Sequence, residues 1–167
     1  TMKKLILISL ALILVTPIFS QKTKYGHVNT ATLFEAMPER AEAKTALEQY
    51  AKELEDQLQV MYQEYEKKMN DYKAGAETMS PAIKQNKEKE LKDLESRIQT
   101  FQYNAQTDLQ NKEQELLEPI YTKIKDAIKL VGDENAFMYI YDVSTLLYYS
   151  DQSIDVTDLV KAKLKIK

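Results

Sequence analysis

His27 is the only imidazole in this 167-residue chain, and no Cys accompanies it. Thiolate zinc sites, cysteine nucleophiles, iron–sulfur clusters and a lipid-modified N-terminal Cys are excluded together. A lone His between Gly26 and Val28, without a second ligand cluster, points to a structural place on a strand rather than to a metal site or a pH switch. Carboxylate pairs such as Glu113 with Glu115 fall on polar helical sequence that offers no pocket for acid–base work. Gly26, Gly75 and Gly132 are too scattered to form a phosphate loop, and no basic face supports nucleic-acid binding. No catalytic residue, metal or cofactor is therefore expected.

What the residue types do offer is contact. The chain has eleven Tyr and six Met but no Trp. Tyr62, Tyr65, Met69, Tyr72 and Met79 recur at helical spacing, where they would make a wall that is apolar, adaptable and able to hydrogen-bond. The bland alternative is that they fill a helix seam. Lys67, Lys68, Lys73, Lys84 and Lys87, with Lys89 and Lys92, gather in one stretch. They would meet acidic partners or, weakly, anionic lipid headgroups, each nearby basic residue adding about 1 kcal/mol. Here the bland alternative is a solvated helix face with pairs such as Glu88 and Lys92.

The elements that must carry these residues are long helices. From Glu39 onward Leu47, Ala51, Leu54, Leu58, Met61, Tyr65, Met69, Tyr72, Ala76 and Met79 are spaced by threes and fours. That places them on one stripe of a helix reaching about Thr78, roughly 60 Å long at 1.5 Å per residue. Leu91, Leu94, Ile98, Phe101, Ala105, Leu109, Leu116 and Ile120 repeat the stripe on the way back. Two single-striped helices make a coiled-coil hairpin, with its tip near 75–81, where Gly75 loosens one helix and Ser80-Pro81 starts the next. Pro119 should kink the returning helix, which runs to a stop at Gly132. Residues 136–142 read as a strand apolar on both faces, with further strands expected at 146–149 and 25–29. Asp155 and Asp158 resemble a cap signal for a last helix holding Leu159, Val160 and Leu164.

The expected architecture is thus α+β. An arm, residues 41–118, is inserted into a small β-sheet body made of 22–40 and 119–167. A 68-residue body is marginal alone, and self-association through Val28, Met138, Ile140, Leu146, Leu147 and Tyr148 would complete its core. Ahead of it, Lys3-Lys4, the apolar run Leu5–Val15 and the small Ser20 make a secretory signal peptide over residues 1–20. The signal makes export the expectation, to the space between the membranes where a cell has two, and an exported chain without Cys must hold itself together by packing or by assembly.

Tyr25-Gly26-His27-Val28-Asn29, Leu33-Phe34-Glu35 and Pro38, with Ile124-Lys125-Asp126-Ala127-Ile128, Met138–Asp142, Leu146-Leu147-Tyr148 and Asp155-Val156-Thr157-Asp158, resemble the Skp or OmpH family of periplasmic chaperones. The order of parts carries the resemblance, which covers essentially the whole chain. It implies a jellyfish-like homotrimer whose bodies join through a β-barrel-like core, with three arms around a cavity. It also implies an ATP-independent holdase that keeps unfolded outer-membrane β-barrel proteins from aggregating. Such clients expose unpaired strand edges that associate in water unless enclosed. The tyrosines, methionines and lysines named above would then be the client-binding residues.

The chain departs from well-known members of that family in charge. They are strongly basic, whereas its pI is near 5.4. Residues 42–66 carry 2 basic and 7 acidic side chains and residues 93–118 carry 2 and 6, while residues 67–92 carry 7 and 4. Only the tip is positive. The rival class is a structural coiled-coil protein of the envelope, acting as a spacer or docking rod. A spacer needs only seam residues, whereas a holdase needs an exposed second apolar edge on its arms. Membrane binding along the whole arm is opposed by the arm's net negative charge.

Overall fold

The computed structural model describes residues 23–166, so the expected signal peptide lies outside the described residues. Strand β1 (Lys24–Val28) leads into helix α1 (Thr30–Ala36), whose N-cap Asn29 accepts a hydrogen bond from the Thr32 N–H at 3.0 Å. Met37 is extended, as a residue before proline is pushed to be, and this ends α1 ahead of Pro38. Helix α2 (Glu39–Gly75) and helix α3 (Pro81–Asn135) follow, then strand β2 (Phe137–Asp142), a 3₁₀ turn (Val143–Thr145), strand β3 (Ile154–Asp155) and helix α4 (Thr157–Leu164).

The expected hairpin is present, with its turn built as the residues dictate. The carbonyl of Gly75 accepts hydrogen bonds from the Thr78 and Met79 N–H groups at 3.0 Å, closing α2 three residues before the expected Thr78. Ser80 is the N-cap of α3 and Pro81 stands in its first turn, where a missing N–H costs nothing. The two helices run antiparallel with partners in step: Glu39 meets Lys123, Tyr62 meets Gln102, Lys68 meets Glu90 and Tyr72 meets Glu88. All eighteen stripe residues are buried or half-buried, Ala76 and Met79 among them in the turn beyond α2.

Two sequence expectations are corrected. Helix α3 runs past Gly132 to Asn135 and ends on Ala136 in the left-handed region (φ 55°), whose N–H donates to the Gly132 carbonyl. Pro119 lies inside this one continuous helix. Residues 146–149 are not a strand: Asp142 accepts from the Ser144 N–H at 3.0 Å, turning the chain away from the sheet, and pairing resumes only at Ile154. Helix α1 was not anticipated, although Asn29 ahead of Leu33 and Phe34 is its signal.

The sheet is parallel with the order β2-β1-β3. Ile120, Ile124, Ala127 and Val131 recur by fours and threes on α3 and pack against Val28 of β1, Leu33 and Met37 of the α1 region, and Val156 and Val160 beside and within α4. Full burial of side chains of this size contributes about 1.5–3 kcal/mol each. Gly26 lets the Phe137 ring pack close to the middle of β1, where a Cβ would stand 3.2 Å from it. The hydroxyl of Thr30 donates to Asp142 and the Asn29 N–H donates to Thr157 Oγ at 3.1 Å, tying both later segments to the end of β1.

Candidate functional site

Two surfaces of the fold present side chains outward: the hairpin and the open face of the sheet. On the hairpin the seam is closed by Leu54, Leu91, Leu94 and Ile98, all buried. Tyr65, Met69, Tyr72 and Met79, expected at a contact wall, lie half-buried on that stripe and serve packing first. Tyr72 also donates its hydroxyl to Glu88, a hydrogen bond that raises the phenol above its ordinary pKa. Lys68 and Lys87 converge on Glu90 at 3.5 and 3.2 Å, and the hydrogen bond from Lys87 holds that carboxyl below the usual range. Exposed pairs of this kind set register more than stability. Lys67, Lys73 and Lys84 are exposed and make no ion pair among the described residues.

Other residues of the shaft face water. Val60 is 63% exposed, Tyr62 43%, Ile83 50% and Tyr103 74%. Of these, Tyr62 is one of the residues expected at the contact wall. Val60 was missed, although an apolar residue adjacent to Met61 and off the stripe is the signal. Between the helices an open groove of about 710 Å³ is lined by Asp56, Val60, Met61, Arg97 and Phe101.

The second surface is aromatic. Tyr25 stacks on Tyr139, with ring planes 5° apart, and Tyr139 stacks on Tyr141. Tyr141, Leu146, Tyr148, Tyr149 and Ile154 continue the patch around a concavity of about 870 Å³. Met138, Leu147 and Tyr148 stand well out into solvent, and Ile140 is half-buried against the core. Val28, expected on an assembly surface, is only 1% exposed: the chain's own core uses it, because the inward face of the middle strand is covered by helices.

His27 is nearly buried beneath this patch. Its ring lies against Tyr149, its Nδ1 is hydrogen-bonded to Ser153 Oγ at 2.9 Å, and its Nε2 stands 3.9 Å from Asp155. Burial pushes the Asp155 carboxyl up, but hydrogen bonds from Thr157, with His27 and Lys161 nearby, bring it below the ordinary value. The cluster fastens the 146–153 loop and β3 to β1. Tyr149 packs on the imidazole, which is nearly buried. Among the described residues no group of three or more His, Asp or Glu is placed to hold a metal ion, and no helix is long and apolar enough to cross a membrane.

Residues 24–164 match the family described as Outer membrane protein (OmpH-like). The chain is 28% identical over 160 residues to a protein named Chaperone protein Skp from Yersinia enterocolitica, covering 94% of this chain and 95% of that one. A protein of the same name from Pectobacterium atrosepticum is 24% identical over 138 residues, covering 83% and 84%. The fold is similar to the crystal structure of a putative outer membrane chaperone (OmpH-like) from Caulobacter crescentus, with a TM-score of 0.71 at 14% identity, over 85% of this chain and 83% of that one.

Proposed function

Because this chain belongs to the OmpH-like outer membrane protein family, we propose that it is a holdase chaperone of the periplasm, acting without ATP on unfolded outer-membrane β-barrel proteins. The observation that supports this most is the outward apolar set Val60, Tyr62, Ile83 and Tyr103 on the hairpin shaft. A spacer rod gains nothing from exposing these side chains, whereas a surface that holds unfolded chain needs them. Tyrosine suits the task, since it contacts apolar chain with its ring and still bonds water or backbone through its hydroxyl.

In this reading the arm (41–118) encloses client and the body (22–40 with 119–167) assembles. The open sheet face carries Tyr25, Tyr139 and Tyr141, and Met138, Leu147 and Tyr148 are exposed on β2 and the loop after it, together an apolar area that monomeric proteins rarely leave uncovered. Three copies meeting through this face would form a barrel-like core and set three arms around a cavity, with the chain reaching its compartment through cleavage of the 1–20 signal segment. The tip lysines Lys67, Lys73 and Lys84 are then the basic rim of that cavity, open to acidic clients or anionic headgroups.

Native mass spectrometry of the protein, alone and mixed with a urea-diluted outer-membrane β-barrel protein, tests the proposal. The expected result is a trimer that captures one unfolded client, together with reduced light scattering during client refolding. A monomer or dimer that leaves the scattering unchanged would instead make the hairpin an architectural rod.

A further inference from the structure

The groove between the helices ends on carboxylates. Its floor is apolar, made by Val60, Met61 and Phe101. On α2, Glu53 lies one turn before Gln57 and Glu64 one turn after Val60; on α3, Asp93 lies one turn before Arg97 and Asp108 one turn after Asn104. Because the antiparallel helices pair in step, Glu53 and Asp108 flank one end and Glu64 and Asp93 the other. All four are exposed. The two ends are separated by 11 residues of α2, about 16 Å at 1.5 Å per residue.

Counter-charge is scarce along this shaft. Lys44, Lys52 and Lys112 are each held by a carboxylate three or four residues away. Glu53, Asp93 and Asp108 make no ion pair among the described residues, and Glu64 shares Lys68 with Glu90. Within the groove Asp56 is held by Lys52 and Arg97 is the one cation without an ion pair among the described residues, so the four end carboxylates outnumber it.

Resting on the holdase reading, we propose that this groove selects the kind of client segment the arm holds: a short extended stretch of unfolded chain with an apolar centre and a basic residue on each side. In an extended chain, residues i, i+2 and i+4 point the same way, and i to i+4 spans about 13 Å. An apolar side chain at i+2 then meets Val60 and Phe101, while Lys or Arg at i and i+4 reach the two carboxylate ends. Charge and floor together require both features of the segment. Basic residues without the apolar centre would be screened and weak, and an acidic flank would face like charge.

The test uses the intact protein and two fluorescein-labelled unfolded peptides, identical except that Arg flanks a Phe-containing centre in one and Glu in the other. Fluorescence anisotropy at about 0.01 M salt, where the Debye length is about 30 Å, should show the Arg peptide binding at least tenfold tighter. At about 0.1 M, with a Debye length of about 10 Å, that preference should shrink several-fold. Neutralising one end with Glu53→Gln and Asp108→Asn should cut the preference several-fold, whereas Val60→Ser should weaken both peptides. Equal affinities, tighter binding of the Glu peptide, or a preference untouched by Glu53→Gln with Asp108→Asn would overturn the proposal. If neither peptide binds, the proposal also falls, and client light scattering then separates the two readings. Persisting protection leaves the holdase function standing, and lost protection removes both.

Discussion

Tyr149 lies against His27 with ring centroids 4.2 Å apart and planes tilted by 31°, so the loop that follows β2 is pinned to the middle strand of the sheet. Ser153 adds a second attachment through the same imidazole. The exposed Leu147 and Tyr148 are carried on a stretch held at one end by the Asp142 turn and at the other by His27. They are presented rather than trailing, as an assembly surface requires.

Leu147→Asp tests that surface. Leu147 makes no buried contact within the protomer, so helical content and thermal stability of the monomer should be unchanged. A charge placed in a covered apolar interface is costly, and sedimentation at micromolar concentration should show the oligomer lost. An unchanged oligomer would remove Leu147 from the interface.

Replacing residues 70–90 by a short Gly-Asn turn shortens the hairpin and deletes Lys73, Lys84 and Lys87. The core residues all lie outside this stretch, so the oligomer should survive. Protection of a refolding β-barrel protein should weaken, and full protection by the shortened chain would exclude the tip from client contact.

Gly26→Ala places a methyl group 3.2 Å from two atoms of the Phe137 ring and 3.3 Å from Ile140 Cγ1. Those side chains already pack on the core and have little room to yield. The expected loss is about 1–3 kcal/mol by urea denaturation. Stability equal to the parent would mean that Phe137 moves freely.

Burial pushes the Asp142 carboxyl up, but hydrogen bonds from Thr30 and Ser144 outweigh it and hold the group below the ordinary value of 3.8. A carboxyl depressed in the folded state contributes stability that is complete above the unfolded pKa and is lost as pH falls through the folded one. The melting temperature should therefore be steady near neutrality and drop below about pH 4. Asp142→Asn should flatten that acid limb, and an identical limb in the variant would assign the acid loss to other groups.

The hairpin was legible because its cause is local. Every stripe residue from Leu47 to Met79 repeats a helical period, and Gly75, Ser80 and Pro81 mark the turn by their own backbone preferences. The end of α3 was misread at Gly132 because glycine is only the commonest residue at a left-handed cap, and Ala136 adopts that conformation where β2 must begin. The 146–149 stretch looked like a strand by side-chain type, yet pairing belongs to Ile154 and Asp155, whose place beside β1 rests on the distant His27 carbonyl receiving the Val156 N–H. The groove was hidden for a related reason. Val60 and Phe101 are 41 positions apart, and their meeting depends on the register of the hairpin rather than on either helix alone.

That register also sets an order of events for the newly made chain. Contacts across the hairpin begin with partners 16 and 22 positions apart, Tyr72 with Glu88 and Lys68 with Glu90, and can zip outward from the turn. The sheet instead joins residues more than a hundred positions apart, as Thr30 with Asp142 and Asn29 with Thr157 show. Loop closure of that length is slow unless something shortens it. The closed hairpin does so, delivering Lys123 to Glu39 and with it the two ends of the chain. As the chain is made, β1 therefore comes before both of its partners and is completed last. Until β2 and β3 have followed it, the middle strand of the sheet stands unpaired.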